Sequence, residues 1–287
     1  MSFADTVLVG AIAGFTIYLG LPVGRVKHVD DRVRVALAMF SVGILAFIFM
    51  DVTKHGQEIV DTALSNFKDH KSGFSHVLGL FALLAAGFTI GTAGISAIER
   101  RLRPRGLTRP PIAGGESAAS LSPSQLAAYH SEAAASQRRA LQTGMMIAAA
   151  IGLHNFAEGL AIGVSAKAGA IGLATVLVIG FGLHNATEGF GIVGPLGSVR
   201  PSWKWLALAG LVGGGPTFLG TIVGYQVHSD ALELAFYALA GGAILYVVGE
   251  IWTGMRRYGH RTLGLNLLAL GFLVGVATDL VVSYGGG

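Results

Sequence analysis

Eight apolar runs, near residues 5–24, 33–52, 74–98, 141–166, 169–195, 203–226, 231–253 and 262–283, dominate the sequence. Each is long enough to cross about 30 Å of hydrocarbon as a helix, at about 1.5 Å of rise per residue. Inside a bilayer a segment must satisfy its own backbone groups, so uninterrupted runs of this length predict helices. The expected fold class is all-α: a polytopic membrane protein of eight transmembrane helices. Composition agrees, because 52% hydrophobic and 13% charged residues leave too little polar surface for a soluble chain of 287 residues. The first run has Asp5 and no basic residue ahead of it. It lacks the positive start of a signal peptide and is expected to remain as a span. Glycines at Gly10/Gly14, Gly87/Gly91 and Gly220/Gly224 have the small-xxx-small spacing that lets helix backbones approach closely.

The net charge of +4 does not call for nucleic acid as a partner, because the basic residues sit in short loops between the apolar runs. Topology accounts for them. With the N-terminus outside, Arg25, Lys27, Arg32, Arg34, the basic residues between Arg100 and Arg139, Arg200, Lys204, Arg256, Arg257 and Arg261 all fall inside. Only Lys54, Lys68, Lys71 and Lys167 remain outside, a bias that sets orientation by the positive-inside rule. The expected location is a cell membrane, plasma or inner, crossed several times with both termini extracytoplasmic. Residues 1–98 then hold helices 1–3, residues 99–140 a cytoplasmic loop, and residues 141–287 helices 4–8. The loop opens with ERRLRPRGLTRPP and continues into an Ala/Ser-rich stretch. Its first half is expected to be disordered, and Ser124–Arg139 to form a helical extension into helix 4. Its single histidine, His130, gives little basis for metal sensing.

Chemistry concentrates in a short internal repeat. Helix 4 carries GLHNFAEG at 152–159 and helix 5 carries GLHNATEG at 182–189, thirty residues on. In each copy His and Glu are four apart and share one helical face, with Asn turned by about 100°. His154 and His184 fall about thirteen and fifteen residues into their runs, near the bilayer midplane. An unpaired carboxylate there costs roughly 2.5–3.5 kcal/mol, and a divalent ion cancels two. His154, Glu158, His184 and Glu188 offer two imidazoles and two carboxylates, a set suited to zinc and also to iron, cobalt or manganese; calcium would want oxygen only. The absence of Cys removes thiolates, so such a site can bind and also release. The bland alternative is that these are interhelical hydrogen-bonding groups, and that the glycine after each Glu merely admits close packing.

HNFAEG and HNATEG, in the fourth and fifth of eight helices behind a long loop, resemble the signature of the ZIP (Zrt/Irt-like) metal transporters. The topology is similar over essentially the whole chain; the specific motif match is confined to helices 4 and 5. The resemblance implies transport of divalent metal, zinc foremost with iron, manganese, cobalt or cadmium as alternatives, toward the cytoplasm through a binuclear site. It implies one position made by His154, Glu158, His184 and Glu188, and a neighbouring one using Asn155 and Asn185 with the glutamates shared. It also leaves room for a homodimer. The chain departs from the family pattern at Ala157 and Thr187, where many members have Pro, and at Pro216 and Thr217 of GPTFLGTIVGY, where many bacterial members place a Glu. The second position is therefore expected to be poorer in charge, and Thr187 is expected to bond back to a carbonyl.

Other polar residues are assigned by position. Asp51, His55 and Glu58 follow the apolar run of helix 2 and are candidates for an outer mouth, against a solvated helix end. Glu250, near the inner end of helix 7, is a candidate for metal exit, against an ion pair with Arg256 or Arg257. Asp279 is expected to pair rather than to meet metal. His28, His70, His76, His228 and His260 are expected to be ordinary loop polars. Gly213–Gly215 followed by Pro216 is expected to loosen or break helix 6. Two other functions compete with uptake. A proton-coupled exporter of metal or organic cations would use the same buried groups. An intramembrane metalloprotease would want H-E-x-x-H, and Asn stands where its general base would be. The expectation is a carrier and not an enzyme.

Overall fold

In the computed structural model, residues 1–26, 29–102, 122–169, 171–226 and 229–286 are described, and they form eight long helices with no strand among them. Helix α1, Phe3–Phe15, starts where Ser2 Oγ accepts from Asp5 N at 3.1 Å, and it runs on through Ile17–Gly20 into a 3-10 turn at Leu21–Arg25. Helix α2 is Asp31–Lys68, capped by Asp30 accepting from Arg32 N at 2.7 Å. Helix α3, Phe74–Thr89, continues through one π-helical turn, Ile90–Gly94, into Ile95–Leu102. At that turn Thr92 Oγ1 lies 3.0 Å both from Phe88 O and from Gly242 O of a neighbouring helix, which ties the bulge to its partner. Then come α4 Pro123–Lys167, α5 Ile171–Val193, α6 Trp203–Gln226, α7 Asp230–Met255 and α8 Arg261–Gly286.

Among the described residues, seven of these helices are long and apolar enough to cross a membrane. Helix α5, 23 residues long, lies where the fifth span was expected. Two helices overrun their apolar runs. Helix α2 extends to Lys68, because Ile59, Val60 and Ala63 pack on Val77 and Leu80 of α3 and Leu234 of α7. Asp51, His55 and Glu58 are therefore mid-helix and do not mark its end. Helix α4 starts at Pro123, where Ser122 and Gln125 form a capping box. The expected extension over Ser124–Arg139 is thus present, and the loop placed at 99–140 shortens at both ends, being helical to Leu102 and again from Pro123. The disorder expected in its first half concerns residues that lie, from 103 onward, outside the described residues, as do His28 and His228.

Helix α6 also departs from expectation, since it runs unbroken through Pro216. Proline removes the N–H that would bond Val212 O. One residue along, Gly213 O accepts from the Asn155 side chain at 3.0 Å, so the weakened turn is held from α4.

Glycine brings the site helices together. Glycines 152, 159 and 163 of α4 lie against Val212 O, Thr217 O and Thr221 O of α6, and Gly220 and Gly224 of α6 lie in return against Phe156 O and Leu160 O. Gly10 and Gly14 of α1 meet Thr221 and Gly214 of α6, and Gly189 of α5 meets Ile17 O of α1. Elsewhere Gly87 and Gly91 of α3 pack on Ala238 and Leu239 O of α7. The three glycine pairs singled out by spacing are all contact points.

Candidate metal centre

Helices α4 and α5 carry the six motif side chains into the interior, where His154, Asn155, Asn185 and Glu188 are fully buried and Glu158 and His184 are 5% and 7% exposed. His154 Nε2 stands 3.1 Å from Glu158 Oε1 on its own helix and 3.9 Å from Glu188 Oε1 across on α5. Asn155 Nδ2 donates to Glu188 Oε2 at 3.2 Å as well as to Gly213 O. Both neighbours are acceptors, so the amide nitrogen faces them and the carbonyl oxygen is turned away. Asn185 Nδ2 donates to Ala13 O at 3.1 Å, tying α5 to α1. Thr187 Oγ1 donates to His184 O at 2.7 Å, the back-bond expected of it. No proline kink interrupts either motif.

The donor atoms that remain are unusual for a protein interior. His154 Nδ1, both ring nitrogens of His184, Asn155 Oδ1, Asn185 Oδ1, Glu158 Oε2, Glu188 Oε1 and Thr217 Oγ1 are buried with no hydrogen-bond partner. Buried polar atoms are nearly always satisfied, so a group of orphans in one place points to a ligand for them. They are imidazole nitrogen and carboxylate, amide and hydroxyl oxygen, a mixed set that a borderline divalent ion accepts. Among the described residues, no three His, Asp or Glu side chains are arranged to hold a metal ion as they stand. Closing a shell here requires the side chains to turn.

A cavity of about 400 Å³ reaches this cluster and is lined by His154, Glu158 and His184. Asp51 and His55 line it too, with His55 Nδ1 3.6 Å from Asp51 Oδ1. Glu58 does not line it; this third residue of the expected outer mouth is exposed and pairs with Lys54 at 3.8 Å. Glu250 is half-buried on α7, away from the cavity. Of its two expected partners, Arg257 donates to Pro195 O at 2.9 Å.

Sequence reasoning missed four contributors. Asp279 of α8, expected to have only a pairing role, lines the cavity with Asp51, as do Glu233 and Tyr237 of α7. A carboxylate alone in the last apolar run was the available signal for Asp279. Thr217 was noted only as a departure from the family pattern, yet its buried hydroxyl belongs to the orphan group.

The ZIP zinc transporter family model matches residues 108–249, which take in α4, α5 and α6, α7 as far as Gly249 and both copies of the repeat. No curated protein matches the chain. Motif, helical membrane architecture and family match agree: over residues 108–249, just under half of its length, the chain matches the ZIP zinc transporter family.

Proposed function

We propose that the chain carries divalent transition-metal ions, zinc first among them, toward the cytoplasm through a site formed by His154, Glu158, His184 and Glu188 near the bilayer midplane. Asn155 and Asn185 adjoin a second, weaker position, helix α5 is the eighth span, and both termini are extracytoplasmic. One observation carries this reading: the two repeats bury a single group of partnerless nitrogen and oxygen donors beside a cavity that Asp51 and His55 also line. Two buried glutamates would each cost roughly 2.5–3.5 kcal/mol in hydrocarbon, and a divalent ion offsets both. Asp51 and His55 receive the hydrated ion, and imidazole and carboxylate replace its water at the site. Helices α1, α4, α5 and α6, joined at backbone contact by glycine, move as one group when the ion is released inward.

The test is zinc uptake into proteoliposomes by wild type, His154→Ala and Glu188→Ala. Losing even an outer-shell partner of a metal typically costs about 10–100-fold, so loss of a ligand should reduce uptake by at least that much while insertion and elution stay normal. Uptake at the wild-type rate in both variants would place the site elsewhere.

A further inference from the structure

At the opposite end of α7 from the metal cavity, where the chain turns into α8, lies a second cavity of about 400 Å³ that shares no lining residue with the first. Its walls include Val35 and Met39 of α2 and Trp252 of α7. Its rim carries the guanidinium groups of Arg256 and Arg261 with His260 beside them, and no carboxylate lines it. The turn itself makes this arrangement: Gly259 and His260 both have positive φ, 70° and 52°, and the reversal within a few residues sets Arg256 and Arg261 at one mouth. A non-glycine residue in that region is uncommon.

Four other arginines at this end of the bundle have different work. Arg25 donates to Pro201 O at 2.6 Å, Arg200 to Arg25 O at 2.7 Å, Arg257 to Pro195 O at 2.9 Å, and Arg34 to Gly197 O. They fasten loops. Among the described residues, Arg256 and Arg261 make no such bond and no ion pair, and both side chains are exposed. An apolar hollow between helices, open at the ends of their apolar spans and ringed by uncommitted guanidinium groups, matches a molecule with an anionic head and a hydrocarbon tail.

We propose that this cavity binds one anionic phospholipid. The phosphate sits between Arg256 and Arg261, and an acyl chain lies against Val35, Met39 and Trp252, with the Trp at the depth where indole rings favour the membrane interface. A free phosphate would use the arginines and leave the apolar walls bare. A zwitterionic lipid would use the walls and bring a cation of its own to a rim that already carries two. The bound lipid joins α2 to the α7–α8 turn, and the inference does not depend on the metal site.

The experiment is native mass spectrometry of the full-length protein in detergent, titrated with phosphatidylglycerol or phosphatidylcholine. One phosphatidylglycerol should be retained in preference. At about 1 kcal/mol for each basic residue near an anionic surface, Arg256→Gln with Arg261→Gln should weaken it by roughly 30-fold. Arg32→Gln, an exposed charge that does not line the cavity, should leave it unchanged. Gly264→Leu keeps both arginines and guards against a double variant that fails to fold. Its Cβ would come 3.3 Å from Met39 Cγ and 3.4 Å from Val35 Cγ1, so its side chain fills the hollow and should expel the lipid. Three results would overturn the proposal: equal retention of the two lipids by wild type, an undiminished preference in the double variant, or displacement of the lipid by inorganic phosphate alone.

Discussion

Gly159 and Gly189 follow the two motif glutamates, and the structure gives each a steric reason that can be tested by adding one methyl group. A Cβ on Gly159 would fall against Thr217 O and lie 2.8 Å from Thr221 N and 2.9 Å from Thr217 C; on Gly189 it would lie 2.6 Å from Ile17 O. Ordinary contact begins at 3.4 Å. The obstacles are backbone, which cannot swing aside as a side chain does, so Gly159→Ala must part α4 from α6 by roughly 1 Å beside Glu158. Overpacking of this kind costs about 1–3 kcal/mol, and the advantage of Ala over Gly within a helix, about 0.5–1 kcal/mol, offsets only part of it. The expected net loss is about 1–2 kcal/mol. Because a functional constellation tolerates displacements of only about 0.5 Å, metal affinity should fall as well. The comparison is Gly79→Ala in α3, whose Cβ would have nothing within 4 Å. There the same change should stabilise by about 0.4–1 kcal/mol, through the unfolded chain. Thermal unfolding in one detergent and zinc titration, on both variants, make the measurement. If Gly159→Ala is as stable as Gly79→Ala and binds zinc like wild type, the close packing of α4 on α6 does not hold the site.

Two further outcomes bear on the path and the stoichiometry. Asp51→Asn combined with Asp279→Asn removes two carboxylates from the wall of the cavity beside the candidate site; uptake at low zinc should slow by roughly tenfold through lost electrostatic focusing, while uptake at saturating zinc is little changed, and an equal loss at both concentrations would mean that these residues act elsewhere. Calorimetric titration of purified protein should find one tight zinc and at most one weak one, because Thr217 offers a hydroxyl where a second position needs charge, and two equally tight ions would contradict that account.

The helices were legible because the bilayer requirement acts on local hydropathy; their ends were not, because tertiary contacts set them. Residues 53–68 carry polar groups at every turn, and Ile59, Val60 and Ala63 pack them on α3 and α7. The early start of α4 was partly readable, since Ser122, Pro123 and Gln125 are local signals. Pro216 misled for the opposite reason: the group that holds the turn after it, Asn155, lies 58 residues away in sequence on another helix. The same division runs through the site. His154, Glu158, His184 and Glu188 declare themselves by i, i+4 spacing within one helix, whereas Asp279 and Thr217 are single residues whose place depends on how α8 and α6 pack.

The repeat is equal in composition and unequal in structure, and this asymmetry bears on the order of events along the proposed path. In the α4 copy His154 is held by Glu158, and Asn155 is engaged twice, to Glu188 and to Gly213 O. In the α5 copy neither nitrogen of His184 has a partner. His184 and Glu158 are the two motif residues that retain some exposure, and both line the cavity; Glu188, Asn155 and Asn185 are fully buried behind it. An ion arriving past Asp51 therefore meets a free imidazole and a carboxylate first, on different helices. To be completed by Glu188 it must draw that carboxylate from the Asn155 amide, which is also the prop of the turn at Pro216. Binding at the deepest ligand is thus coupled to the α4–α6 contact, the same contact that Gly159 keeps close.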